Sequence, residues 1–162
     1  MDHTEKKGRW GLYCALFLLT VAADQWFKHW ITVHIPLNPA SADTIPLLPG
    51  VVHLSHIHNE GAAFGMMEGG RWIFLALLCV FCGLVIYALK TNWLSDEFSR
   101  VVAVLAAAGA VGNGIDRALY GYVVDMFELE FMRFAVFNVA DSVLCVCAAL
   151  FVIKTLTEKE EK

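Results

Sequence analysis

The chain has 162 residues, of which 58% are hydrophobic and only 17% charged, with a mean hydropathy of +0.58. A soluble domain of this size carries nearer a quarter of its residues as charges, so the apolar excess belongs in lipid. The net charge of −4 leaves no basic footprint for nucleic acid, and the charges gather in short stretches between long apolar runs, as in a single membrane domain over 1–162.

Four apolar runs are predicted to span the membrane, at about 10–27, 72–89, 101–119 and 134–153. Eighteen helical residues reach about 27 Å, close to the ~30 Å hydrocarbon thickness. The first run follows Lys6, Lys7 and Arg9 and contains Val21-Ala22-Ala23, which also fits a cleavable secretory signal. Three further spans, and the i,i+4 pair Asp24 and Lys28 continuing the helix, suit a retained anchor better. Between spans one and two, about 29–71, lies a long outer loop with Pro36, Pro39, Pro46 and Pro49. Its β-branched stretch Val51 to His58 predicts a short strand or two on the membrane surface. Trp26, Trp30 and Trp72 flank it as interfacial aromatics. The second span carries no acid, and Cys79 and Cys82 within it, like Cys14, Cys145 and Cys147, read as small packing residues and not as a disulfide framework. The third span is rich in Ala and Gly, including Gly109, Gly112 and Gly114, for close helix packing. A short outer loop, about 120–133, carries Asp125 and leads into the fourth span. The charged tail after it reads as a solvated end.

Lys and Arg are concentrated before span one, between spans two and three, and after span four. The positive-inside rule therefore predicts both termini in the cytoplasm and both longer loops outside. The alternation of spans then brings Asp24 and Lys28, Asn113, Asp116 and Arg117, and Asn138, Asp141 and Ser142 to the same outer level as Asp125. At the bilayer centre Asp24, Lys28, Asp116, Arg117 and Asp141 would each cost about 2.5–3.5 kcal/mol. An interfacial position facing the bundle is expected, either as ion pairs locking the helices or as a functional site. Spacing sets Asn113 with Arg117 (i,i+4) and Asn138 with Asp141 (i,i+3) on shared helix faces. His53, His56 and His58 are the competing signal. On a strand, His56 and His58 share a face and His53 opposes them, and no H-E-x-x-H occurs, so surface histidines are expected and no metal site.

Four segments in order resemble the lipoprotein signal peptidase (signal peptidase II) family: Asp24 with Lys28; Asn59-Glu60-Gly61-Ala62-Ala63-Phe64-Gly65; Gly112-Asn113-Gly114-Ile115-Asp116-Arg117 followed by Gly121-Tyr122-Val123-Val124-Asp125; and Phe137-Asn138-Val139-Ala140-Asp141-Ser142. The resemblance implies a membrane all-α fold of four transmembrane helices with a small β-containing outer loop. It implies an aspartic endopeptidase of the bacterial inner membrane, without cofactor, monomeric, with its site near the outer face. Its substrate would be a diacylglyceryl-modified prolipoprotein presented in membrane lipid and cut before the lipidated cysteine. Asp125 and Asp141 would be the catalytic pair. Asn59, Asn113, Arg117 and Asn138 would line or support the site, and Asp24, Lys28 and Asp116 would hold the scaffold. Met126, where Phe is common, and the short segment Glu128 to Phe134 depart from the family pattern and leave the outer-loop shape open. A small proton- or ion-conducting membrane protein is the main alternative, but it expects polar residues at several depths, whereas here they collect at one level.

Overall fold

The structure, a computed structural model, describes residues 3–38, 40–61 and 69–160, without the side chains of residues 3–8, 41 and 158–160. Pro39 and the stretch Ala62 to Gly65 of the second motif lie outside the described residues. Four helices are long and apolar enough to cross a membrane: α1 (His3–His34), α2 (Arg71–Thr91), α3 (Glu97–Leu119) and α4 (Val139–Glu160). Between them lies a three-stranded antiparallel sheet in the order β1 (Ile45–Leu48), β2 (Val52–Asn59), β3 (Val123–Leu129).

Helix α3 is the centre of the bundle. Half of its spanning window is buried, against 11% for each of the other three, because Ala and Gly let neighbours approach its backbone. A Cβ on Gly109 would lie 2.9 Å from the Ala140 carbonyl oxygen, and one on Gly112 would lie 2.6 Å from Asp24 Oδ2. Gly112 therefore makes room for a buried carboxylate as well as for a helix. The other helices present Leu18, Leu19, Leu77, Leu84, Val146 and Val152 outward, over half exposed, as a lipid-facing surface requires.

Two predicted boundaries differ. Helix α1 continues seven residues past the expected end of the first span, to His34, and residues 24, 28 and 31, with Ile35 one residue beyond the helix, repeat at 4-3-4 spacing on one buried side. Ile31 and Ile35 pack with Leu54, Val124 and Met126, so the extra turns are the pillar on which the sheet rests. Met126 is fully buried there, and an adaptable side chain fills the place where Phe was expected. The fourth helix starts at Val139, not at 134. Residues 134–138 are extended, and Phe137 exchanges backbone hydrogen bonds with Phe127 (2.8 and 3.2 Å). The segment expected as an irregular loop around Asp125 is thus strand β3, held by β2 on one edge and by Phe137 on the other.

The opposite end of the bundle is tied by charge. Asp96 caps α3 by accepting from the Ser99 amide (2.9 Å) and pairs with Lys154 of α4. Those contacts hold its carboxyl well below the ordinary range, the Lys154 bond first among them.

Gly112→Ala is expected to lower thermal stability in detergent. The added methyl meets a carboxylate that cannot retreat, a cost of about 1–3 kcal/mol that outweighs the ~1 kcal/mol helix-propensity gain. Gly83→Ala, with nothing within 4 Å, serves as the control and should be neutral or stabilising. Equal melting temperatures for the two variants would contradict the close approach.

Candidate active site

The site is built outward from Lys28. Its side chain is 4% exposed, and its three N–H bonds meet three acceptors: Asp24 Oδ2 at 2.8 Å, Asp116 Oδ2 at 2.9 Å and Asn113 Oδ1 at 2.8 Å. The expected i,i+4 pair with Asp24 is present. Asp116 and Arg117 do not pair with each other, because successive helical residues point about 100° apart. Asp24 also accepts from the Ala140 amide through Oδ1 (2.9 Å), which satisfies a free N–H at the start of α4. Asp116 accepts from the Val124 amide of β3 (3.1 Å) and from Gln25 Nε2 (2.8 Å). One buried cation and two carboxylates thus join α1, α3, α4 and β3.

Asn113 carries this order to the next layer. Because its Oδ1 faces Lys28, its Nδ2 is directed to Asp141 Oδ1, at 2.7 Å. Asn138 is fully buried, and its Nδ2 donates to Asn113 Oδ1 (3.1 Å) and to Asp125 Oδ1 (2.7 Å). It does not share a face of α4 with Asp141, as the i,i+3 spacing had suggested, but stands just before the helix. Its Oδ1 accepts from the Asp141 amide (2.9 Å), while Asp141 Oδ2 accepts from the Asn138 amide (3.2 Å). This is the reciprocal arrangement of a capping box with Asp in the acidic position. Asn59 reaches Asp125 across the sheet. In the β2–β3 register Asn59 opposes Val123 and Ile57 opposes Asp125, so Asn59 and Asp125 are diagonal neighbours on one face, with Nδ2 to Oδ2 at 2.8 Å.

Asp125 and Asp141 line one cavity of about 300 Å³ with Asn59, Asn113 and Arg117, and its apolar wall includes Phe134, Phe137 and Leu144. Each carboxyl has both oxygens held by N–H donors, and neither forms an ion pair among the described residues. Burial pushes the Asp125 carboxyl up to about 7, and the charge of Asp141 adds to the rise, against the pull of Asn59, Asn138 and Lys28. Arg117 lies over the Phe74 ring at 4.5 Å and donates to the Gly61 carbonyl (2.7 Å), fixing the described first part of the second motif beside the cavity.

The rings of His56 and His58 lie edge to face, 5.1 Å apart, and His53 has partners of its own. His53 meets Glu128 (3.0 Å) and Glu130 (3.4 Å), and His58 stacks on Tyr122. His56 is not a surface residue: it is 4% exposed and bonds the Ile35 carbonyl through Nδ1 (2.9 Å). Burial lowers the His58 value, and His56 lowers it further. Gln25, Phe74 and the capping role of Asn138 are the contributions that sequence inspection missed. Of these, only N-x-x-D at 138–141 carries a sequence signal, that of a helix start.

Four apolar spans, a three-stranded sheet at one end of the bundle and two buried carboxyls facing one cavity define a multi-pass membrane enzyme. Two solved bacterial membrane enzymes, determined by the in meso method at 2.3 and 1.9 Å, share this fold. The first has a TM-score of 0.86 at 28% identity, covering 94% of this chain and 92% of that one. The second has a TM-score of 0.80 at 28% identity, covering 90% and 93%. The family model described as Signal peptidase (SPase) II matches residues 16–157. Lipoprotein signal peptidases of Streptococcus pyogenes serotypes M2 and M6 are each 38% identical over 149 residues, 92% of this chain and 95% of theirs. The chain belongs to the signal peptidase II family, and is a membrane protease.

Lys28→Met is expected to destabilise the protein by about 3–5 kcal/mol, since two carboxylates lose their shared cation without gaining solvent. The double change Lys28→Met with Asp24→Asn should recover part of that loss. Melting temperatures in detergent read both, and a single variant as stable as the parent would show that the cation does not hold the bundle.

Proposed function

We propose that this protein is an intramembrane aspartyl endopeptidase that removes signal peptides from diacylglyceryl-modified prolipoproteins, with Asp125 and Asp141 as its catalytic pair. The observation that carries this reading is the cavity walled by two carboxyls, one on β3 and one on α4, both without an ion-pair partner among the described residues. Lipoprotein processing is what the related streptococcal enzymes are named for, and the lipidated cysteine is the form of substrate expected from the sequence motifs.

Two carboxyls sharing a poorly solvated site do not both ionise readily, so at neutral pH one keeps a proton. The ionised partner takes a proton from water as the water oxygen attacks the scissile carbonyl carbon. The protonated partner gives its proton to the carbonyl oxygen, forming a tetrahedral diol. On collapse one hydroxyl proton returns to a carboxyl, the other carboxyl protonates the departing nitrogen, and the C–N bond breaks. The products are a signal peptide ending in a carboxyl group and a lipoprotein beginning with the amine of its cysteine. Asn59, Asn113 and Asn138 hold the carboxyls by N–H donation, and Arg117 fixes the backbone beside them. Asp24, Lys28 and Asp116 act on the scaffold. The apolar wall suits a substrate whose acyl chains stay in lipid while its peptide enters the cavity.

The same reading gives a monomer in the bacterial inner membrane with both termini cytoplasmic and the sheet outside. Cysteine labelling tests the orientation: Asp43→Cys should react with an impermeant thiol reagent from outside and Asp96→Cys only after the membrane is opened. The reverse pattern would overturn it.

Asp125→Asn and Asp141→Asn should each lower cleavage of a lipidated prolipoprotein on the order of 10²–10⁴-fold, and the double variant should be no worse than either single one. Near-normal turnover in a correctly inserted single variant would refute the pair. Activity should be insensitive to chelators and bell-shaped in pH, with the alkaline limb near the value of about 7 at Asp125, where the shared proton leaves. Both limbs belong to the pair as a unit. The raised Asp125 value also makes its contribution to stability complete below pH ~3.9 and lost as pH rises through the folded value.

A further inference from the structure

At the end of the bundle opposite the aspartates, a cavity of about 250 Å³ lies between the start of α1, the end of α2 and the start of α3. Each helix supplies one cation to it: Arg9, Lys90 and Arg100. Glu97 accepts from Arg9 at 2.9 Å and from the Tyr13 hydroxyl at 3.0 Å and lies 4.0 Å from Arg100. Asp96 is paired with Lys154. Lys90 is exposed and forms no ion pair among the described residues. Arg100 is oriented by its Nε bond to the Leu94 carbonyl (2.8 Å). Among the described side chains, three cations therefore face one carboxylate.

A second cavity, about 470 Å³ and almost wholly apolar, shares Trp10, Tyr13 and Leu89 with the first. It runs between α1, α2 and α3 past Phe17, Leu18, Ile86 and Val104. On α3 it extends from Val104 to Val111, about 10 Å at 1.5 Å per residue. A cationic mouth continuous with an apolar groove has the two chemistries of one amphiphile.

We propose that this surface is a binding site for one anionic glycerophospholipid, its phosphate among Arg9, Lys90 and Arg100 and an acyl chain in the groove. Basic pockets between membrane helices suit anionic headgroups, and Trp10, 42% exposed, stands at the junction of head and chain as interfacial tryptophans do. A free phosphate would satisfy the mouth and leave the groove unfilled. The lipid joins three helices at the end remote from the proposed catalytic pair, so the site does not depend on the chemistry assigned there.

The test uses the full chain in mixed micelles of equimolar phosphatidylglycerol and phosphatidylcholine, with retained lipid counted by native mass spectrometry after partial delipidation. One phosphatidylglycerol should be retained per chain in preference to phosphatidylcholine. Lys90→Gln should lower that preference about fivefold, the worth of one interfacial charge, and Arg9→Gln should lower it too. Lys90→Gln decides the matter because it breaks no ion pair among the described residues. Glycerol phosphate at millimolar concentration should not displace the lipid. Equal retention of the two lipids, an unchanged preference in Lys90→Gln, or displacement by glycerol phosphate would overturn the proposal.

Discussion

The structure depends on a charged lysine buried away from solvent. Lys28 is buried beside Asp24 and Asp116, and a charge in that position is tolerated only when every N–H finds an acceptor. Here the acceptors come from two helices, and the carboxylates pass the constraint on by accepting amides at the start of α4 and within β3. A buried ion pair is weak evidence for net stability. Its value here is registry: α1, α3, α4 and β3 satisfy the same few atoms in one relative position.

That registry is what makes a pair of carboxyls out of residues 16 positions apart in sequence. Asp125 sits on a strand pinned along both edges, and Asp141 sits in the first turn of a capped helix. Between them Asn113 and Asn138 act as spacers whose donors and acceptors are fixed by Lys28 on one side and by the helix cap on the other. Neutral amides can hold carboxyls in place without removing the need for a proton, as an arginine or lysine in contact would. The elevated Asp125 value near 7 follows from that choice of partners together with burial, and it is the property the proposed chemistry uses.

Much of this is legible in the amino-acid sequence. The four spans followed from hydropathy alone, and the gathering of acids and asparagines at one level followed from the alternation of spans. The motifs pointed to the family to which the chain belongs. What was not legible depended on contacts distant in sequence. Strand β3 exists because β2 and Phe137 supply its hydrogen bonds, and V-V-D-M-F-E-L alone does not announce them. Asn138 looked like a face residue because i,i+3 spacing is ambiguous at a helix start, where the same spacing also describes a cap. Asp116 was a candidate for an ion pair locking the helices, but nothing in its local spacing names Lys28, 88 positions earlier, as the partner. His56 looked like a surface histidine until the end of α1 covered it.

The central claim is that the two carboxyls hold one proton between them at neutral pH, in a frame set by Lys28 and the amides. Infrared difference spectroscopy of the protein in lipid, recorded across a pH titration, reads it directly through the C=O stretch of a protonated carboxylic acid. The account predicts one such band at pH 6 that fades as the pH rises past 7 and is absent from both Asp125→Asn and Asp141→Asn. A band that persists unchanged in those two variants but disappears in Asp24→Asn or Asp116→Asn would place the proton in the Lys28 cluster and contradict it.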